Sequence, residues 1–435
     1  MKLLERMKGL FAGEGQPPAS GMERQIADWA RLYRQGSLTG RSKLRLPSAI
    51  ASELARLAVC ELDSSVVGEA RGAYLDRQYQ RVRKQLRVWA EYGFACGGMV
   101  LKVIPRGGEL PVECITAENF VPLEQDSTGR VTAAEFWEER WLEGRRYRRM
   151  ERHRLEGSRY TITNRVLDRW GNEVPLGTLP CWAELAAQAT LEGIHRPLFV
   201  CFRTPMANCM EPDSPLGVSV YAAASQLIEQ AEQQWERIEW EYKGSELAVD
   251  ASEDLFEHRR DGSVVLPQGQ ERLFRAHDLD IGQSGGKFLE VFSPEIRDRA
   301  LFCGLDSILR RIEFNCGLAY GTISDPQQVE RTAQEVRAGR QRSYAMVCDL
   351  QGALEAALRE LCEVLDIWAT VYELCPDEPW QLRVCWGDSV LVDSETLRES
   401  HRKDVAAGLM SVQEYRAVWY GGAAMQEKGR EQENA

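Results

Sequence analysis

The chain has 435 residues, 44% of them hydrophobic and 28% charged, which suits roughly two to four folded domains and is too apolar for a disordered chain. Its formal net charge of −12 argues against a protein that grips nucleic acid by neutralising phosphates over a broad basic face; contact with DNA should be weak, local or slippery. No apolar run approaches the roughly 18 to 20 residues that span a bilayer, and no membrane association is expected.

The opening, MKLLERMKGLFAGEGQPPASG, lacks the continuous apolar segment of a secretory signal and reads as a short amphipathic helix with a flexible linker. Helical periodicity follows. MERQIADWARLYRQG sets Ile26, Trp29, Ala30 and Tyr33 on one face, and LPSAIASELARLAV repeats the pattern through Ile50, Leu54, Leu57 and Ala58. AYLDRQYQRVRKQLRVWAEYG predicts a third helix, with Tyr79, Val82, Leu86 and Trp89 in register and Gly93 as its stop. The period then changes. GGMVLKVI, PVECITAENFVPLE, GRVTAAEFWEERWLEG, RRYRRMERHRLEG and SRYTITNRVLDRWGN are short β-prone runs punctuated by turn residues, the pattern of an antiparallel meander that RPLFVCFRTP closes.

SPLGVSVYAAASQLIEQAEQQWERIEWEYKG predicts a long helix with Ser214 as N-cap, Pro215 as first helical residue and a stripe running from Tyr221 to Tyr242. Residues 245–292 return to short β signals. SPEIRDRALFCGLDSILRRIEFNCG predicts a second helix, with Ser293 as cap, Pro294 in the first turn, Leu301, Leu305, Ile308, Leu309 and Ile312 on one face, and Gly317 in the left-handed conformation at the end.

Next comes the polar stretch GTISDPQQVER, and then TAQE, a capping box in which Thr332 and Glu335 would satisfy each other's backbone N–H groups for roughly 0.5–2 kcal/mol. The helix it opens carries apolar residues from Val336 through Tyr344, Val347, Leu350, Leu354, Leu358, Leu361, Leu365, Trp368 and Tyr372. One strand, WQLRVCW, follows, then terminal helical segments in which Ser411 and Glu414 form a second capping box, SVQE.

Catalytic signatures are missing. GQSGGK at 282–287 lacks the flanking residues of a P-loop, and reads as a tight turn. No Gly-x-Ser-x-Gly elbow is present. The 12 cysteines form no C-x-x-C pair and the five histidines do not join them at ligand spacing, so neither metal nor cofactor is expected; the cysteines, Cys303, Cys348 and Cys362 among them, read as small buried hydrophobes in a reducing compartment. The basic runs RRYRRMERHR and RVRKQLR, interspersed with Glu and alternating like strands, read as a charged outer sheet face or a subunit contact before direct DNA binding. The apolar stripes exceed what a thin helical pair can bury alone, which points to subunit packing.

The order of these pieces resembles the portal proteins of tailed bacteriophages, of the family seen in siphophages and Gram-positive prophages. The residues that carry the resemblance are YGFACGGMVLKV, SPLGVSVYAAASQLIE, SPEIRDRAL, GLAYGTIS and TAQEV, in that order, and it covers nearly the whole chain from about residue 22. It implies an α+β portal fold: a flexible 1–21, a helical and β-meander wing over 22–212, stem helices over 213–244 and 293–318 enclosing a small α/β clip over 245–292, a tunnel loop over 319–331, a long wing helix and returning strand over 332–388, and a short helical crown and tail over 389–435.

It further implies a non-enzymatic ring, usually of twelve subunits, at one capsid vertex of a virion assembled in the bacterial cytoplasm. Double-stranded DNA would pass through it non-specifically during packaging and ejection. Its partners would be copies of itself, the large terminase, the major capsid and scaffolding proteins, and a head-completion adaptor. By position, Ser324, Asp325, Gln327, Gln328, Arg331, Arg337 and Arg340 would belong to the channel-facing loop, with Arg342 beside them. The rival readings are a nuclease or packaging ATPase, which would need a Walker A or metal cluster, and a head-morphogenesis or scaffolding protein that forms no ring.

Overall fold

The computed structural model describes residues 21–35, 43–260, 263–267, 273–277, 289–325, 333–387 and 394–420, with the backbone alone over 333–340 and 394–397 and at 277, 400, 417, 418 and 420. The fold is mixed α+β, as expected. Helices α1 (Gly21–Arg34), α2 (Leu46–Val59) and α3 (Ala70–Cys96) form as their periodicity requires, burying Ile26, Trp29, Ile50, Leu54, Tyr79, Val82 and Leu86 in one core.

α3 outruns its expected stop. Gly93 is helical and buried, and a Cβ there would press on Met99 and Phe202 at 3.3–3.4 Å. The true stop is Gly97, with φ +83°. Its carbonyl crosses Gly217 so closely that a Cβ on Gly217 would overlap it.

A strand the periodicity did not single out, β1 (Leu62–Gly68), lies between α2 and α3. It pairs antiparallel with the last strand of the chain, in the register Leu62↔Trp386 to Gly68↔Trp380.

The meander forms two antiparallel sheets. β2 (Gly98–Val103) lies between β3 (Val112–Thr116) and β10 (Phe199–Arg203). The larger sheet runs β4 (Phe120–Gln125), β5 (Val131–Leu142), β6 (Arg145–Glu156), β7 (Arg159–Leu167) and β8 (Glu173–Val174), with β9 (Gln188–Glu192) also on β7. The basic run in β6 is answered strand to strand. Arg148 sits opposite Glu139, Arg149 opposite Glu138 and Arg152 opposite Glu135, with ion pairs at 2.7, 3.3 and 2.7 Å. These three cations are thus spent within the sheet, each exposed pair worth at most about 1 kcal/mol.

Two helices pack antiparallel as a hairpin: α4 (Ser225–Gly244) and α5 (Asp298–Asn315). Asn315 Nδ2 donates to the Ala223 carbonyl, Gln234 Nε2 to that of Leu301, and the Arg297 guanidinium to Glu241 at 2.7–2.9 Å. Both helices start later than their caps suggest. Residues 214–221 are not helical, because their backbone groups are taken by tertiary bonds. Val218 N–H donates to Thr204 Oγ1 at 3.2 Å and Val220 N–H to the Phe94 carbonyl at 3.1 Å, while Ser214 only receives Leu216 N–H in a local turn. Ser293 and Pro294 do not cap α5 either. With Arg297 set against Glu241, residues 293–296 lie beyond the last turns of α4, where a helix would have no surface to bury. Gly317, by contrast, has the expected left-handed φ of +70°.

Between the hairpin arms sits a small sheet in which β11 (Ala248–Ser252) pairs parallel with β14 (Phe274–His277) and antiparallel with β15 (Leu289–Phe292); β12 (Glu257–His258) and β13 (Val264–Val265) form a separate two-residue pair. The expected α/β unit contains no α-helix among its described residues, only a 3-10 turn at Glu253–Leu255. GQSGGK falls outside the described residues.

α6 (Ala333–Val371) spans 39 residues, about 58 Å at the helical rise. Its stripe Val347, Leu350, Leu354, Leu358, Leu361, Leu365 and Trp368 is buried across the main core, whereas Tyr344 and Tyr372 at its two ends are exposed. β16 (Trp380–Trp386), α7 (Ser394–Ala406) and α8 (Val412–Tyr420) complete the chain. The second capping box forms: Ser411 N–H donates to Glu414 Oε2 at 2.8 Å, and Glu414 N–H to Ser411 Oγ at 3.1 Å.

The cysteines correct the expectation of general burial. All 12 are unpaired, but Cys60, Cys181, Cys209, Cys303 and Cys385 are exposed, and only Cys96, Cys316 and Cys362 are fully buried.

Candidate functional site: the anchored turn between α5 and α6

The polar stretch that opens at Gly321 does not leave the hairpin freely. Its first residues fold back along α5 and are held by two carboxylates on that helix. Glu313 is wholly buried. Its Oε1 accepts the backbone N–H groups of Gly321, Ile323 and Ser324 at 3.0, 2.7 and 2.9 Å, and its Oε2 accepts the Ser324 hydroxyl at 2.8 Å. Seven residues earlier on the same face, Asp306 accepts the Asp325 N–H at 2.9 Å and pairs with Arg310 at 2.5 Å. The turn therefore retraces about two helical turns of α5 before the chain reaches residue 326.

The start of α6 is tied to the same place. The Arg342 guanidinium lies 4.2 Å from the Phe314 ring centroid and 5.8 Å from that of Tyr320, and Met346 packs on Gly317, where a Cβ would come within 3.1 Å.

The expected loop residues thus separate into groups. Ser324 was expected among the projecting groups but is buried against Glu313, an anchor for the turn. Asp325 is exposed, its backbone held by Asp306. Gln327, Gln328, Arg331 and Thr332 lie outside the described residues, as do the side chains of Glu335, Arg337 and Arg340, so the TAQE box is known only from α6 beginning at Ala333. Glu313 and Asp306 were missed in sequence because acids beside an apolar stripe look like a solvated helix face. Their seven-residue spacing ahead of the small, donor-rich GTIS was the available signal.

A second cluster lies between the two sheets. Glu151 accepts Lys102 Nζ at 2.7 Å, Arg149 Nη1 at 2.9 Å and His153 Nε2 at 2.7 Å, while His153 Nδ1 stands 2.7 Å from the Tyr160 hydroxyl. Burial pushes the Glu151 carboxyl upward, but the His153 hydrogen bond and the charges of Lys102 and Arg149 outweigh it and hold the group well below the usual carboxylate range. Burial pushes the His153 imidazole down, with Glu151 opposing. The bonding suits a neutral ring that donates through Nε2 and accepts the Tyr160 hydroxyl at Nδ1. Each of these groups is engaged, so the cluster reads as a structural network before a general base.

Both folded pKa values lie below their unfolded ones, so stability present near neutrality should fall first as pH drops through about 6.5, from His153, and again below about 4.3, from Glu151. In His153→Asn, urea melts at pH 7 and pH 5 should show the first part of that loss gone, from a lower starting stability. An unchanged slope would assign it elsewhere.

Among the described residues, no group of three or more His, Cys, Asp or Glu stands where it could hold a metal ion, and no helix is long and apolar enough to cross a membrane.

No protein-family model matches the chain, and no curated protein matches it. Among solved structures, it is similar to a chain in the neck of a native GTA particle computed with C12 symmetry, with a TM-score of 0.45 and 11% identity over 95% of this chain and 97% of that one. It is similar too to a chain in the neck of an empty GTA particle computed with C6 symmetry, with a TM-score of 0.44 and 11% identity over the same shares. At these scores the likeness carries no functional argument.

Proposed function

We propose that this chain is a portal subunit of a tailed-phage-type particle: one copy of a closed ring, usually twelve, at a capsid vertex, through which double-stranded DNA enters during packaging and leaves on ejection. In this reading the sheets, α1–α3, α6 and β16 form the wing, α4 and α5 the stem, and the β11–β15 region the clip that meets the terminase and later the head-completion adaptor. The turn between α5 and α6 begins the channel-facing loop, and α7 and α8 belong to the crown. Capsid and scaffolding proteins would be the remaining partners, the location is the virion, and the subunit performs no catalysis of its own.

The observation that carries the reading is the hairpin itself. Two antiparallel helices hold a small sheet at one end and an anchored polar turn at the other, and their outer faces are rich in uncovered aromatics. Trp240 is 74% exposed and Phe314 52%, with Tyr242 and Phe302 also exposed. A hairpin in water gains nothing by showing such residues, whereas neighbours standing side by side around an axis would cover them. The polar outer face of α4 runs through Gln226, Gln230 and Gln233 with one cation, Arg237, in line with them, too few to trap phosphates.

Trp240→Glu tests this. Circular dichroism should be unchanged while assembly weakens by a factor of ten or more, since a buried aromatic contact is worth roughly 2 kcal/mol or above. Isolated wild-type chains that stay scattered in negative stain would favour the non-ring morphogenesis reading.

A further inference from the structure

A cleft of about 320 Å³ lies between β10, the turn that joins β4 to β5, and the middle of α6. Arg130, Arg196 and Arg203 line it together, with Glu360 as the one carboxylate in its wall and Phe199 and Val364 in its floor. Arg130 is delivered by a rigid turn: Asp126 Oδ1 accepts the N–H of Thr128 at 2.8 Å and that of Arg130 at 3.0 Å, and the Thr128 hydroxyl at 2.6 Å. Arg130 reaches Glu360 at 3.4 Å, and Arg196 pairs with Glu363 on α6. Burial lowers the Arg196 pKa; Glu360 opposes that shift and the Arg130 charge adds to it. Arg203 is exposed and has no ion pair or hydrogen bond to its side chain among the described residues.

This arrangement differs from Arg148, Arg149 and Arg152 of β6, each of which faces its own glutamate across the strands. Here Arg130 meets Glu360 and Arg196 meets Glu363, so three forks face two carboxylates, in a chain where acids outnumber bases 66 to 54. Guanidinium groups of this kind match a carboxylate bidentately. A duplex is far too wide to enter the cleft, and its phosphates would leave the apolar floor uncovered.

We propose that the cleft receives an acidic, partly apolar peptide segment of a partner protein, seating a carboxylate among Arg130, Arg196 and Arg203 and an apolar side chain toward Phe199 and Val364. The inference does not depend on ring assembly.

The test uses the full chain and a fluorescent synthetic peptide alternating Asp with Leu, read by anisotropy at low ionic strength. Wild type should bind, and Arg130→Ala/Arg203→Ala should bind about tenfold or more weakly with an unchanged melting temperature, as expected for two lost charge-assisted bonds. Glu360→Gln, which removes the competing carboxylate, should bind about threefold more tightly. Inorganic phosphate should compete only at much higher concentration, and duplex DNA not at all. Absence of binding by wild type, equal binding by the double variant, or competition by DNA at matched phosphate concentration would each overturn the proposal.

Discussion

Glu313→Ala should cost the fold about 3–5 kcal/mol, because it leaves three backbone N–H groups and a hydroxyl without their acceptor in a buried site. The loss should show as a lower urea midpoint. It should also show as faster amide exchange at Gly321, Ile323 and Ser324, the positions the carboxylate holds. Glu313→Gln keeps one acceptor oxygen but turns an amide N–H₂ toward a donor, and should fall between the two. If exchange at those amides is unaffected in Glu313→Ala, the turn is fixed by something other than this carboxylate. If the turn begins a channel-facing loop, as proposed, the root of that loop is held by a helix face rather than by the loop's own sequence.

Arg71→Ala should be comparably damaging, about 3–5 kcal/mol, for a different reason. The side chain is wholly buried at the start of α3, yet every contact it makes is with the far end of α6 and the turn beyond. Nε donates to Asp366 Oδ1 at 2.7 Å, Nη2 to the Asp366 carbonyl at 2.6 Å and Thr370 Oγ1 at 2.5 Å, and Nη1 to the Cys375 carbonyl at 3.3 Å. The Arg71 N–H meets Glu378 at 3.2 Å, so an acidic side chain also serves the N-terminus of α3. Removing the guanidinium strands Asp366 and three further acceptors at the joint that closes the helical core on the β1–β16 pair. Arg71→Lys keeps the charge but cannot reach all of them from one compact ammonium, and should recover less than half of the loss. A double-mutant cycle with Asp366→Ala should show coupling of at least about 1 kcal/mol; additive losses would mean that the pair does not act as a unit.

The contrast between these two residues and the rest of the chain explains what the sequence could disclose. The strands β5, β6 and β7 were legible because alternation and turn residues are local, and so was the stripe of α6. The Ser411–Glu414 box was legible because both members lie within one turn. Ser214 and Ser293 carry the same local preference for helix starts and do not act on it. At 218–220 the backbone donors had better acceptors in Thr204 and Phe94, and at 293–296 there was no partner surface.

β1 was missed since its alternation is short and its partner, β16, lies at the other end of the chain. Arg71, Glu313 and the Lys102–Glu151–His153 cluster were missed for one shared reason. Periodicity states which face of an element is apolar, but not which distant polar group will be carried into that face with it. The candidate site was therefore visible in outline, as a polar stretch between two strong helices. Its anchoring was visible only in three dimensions.

Native mass measurement of the purified chain reaches the central claim most directly. The subunit is 49.3 kDa. Side-by-side packing of hairpins with uncovered aromatic faces should yield one closed species at a fixed integer multiple of that mass, with a central opening on imaging. A mass of one subunit at every concentration, or a continuous ladder of open oligomers, would contradict it.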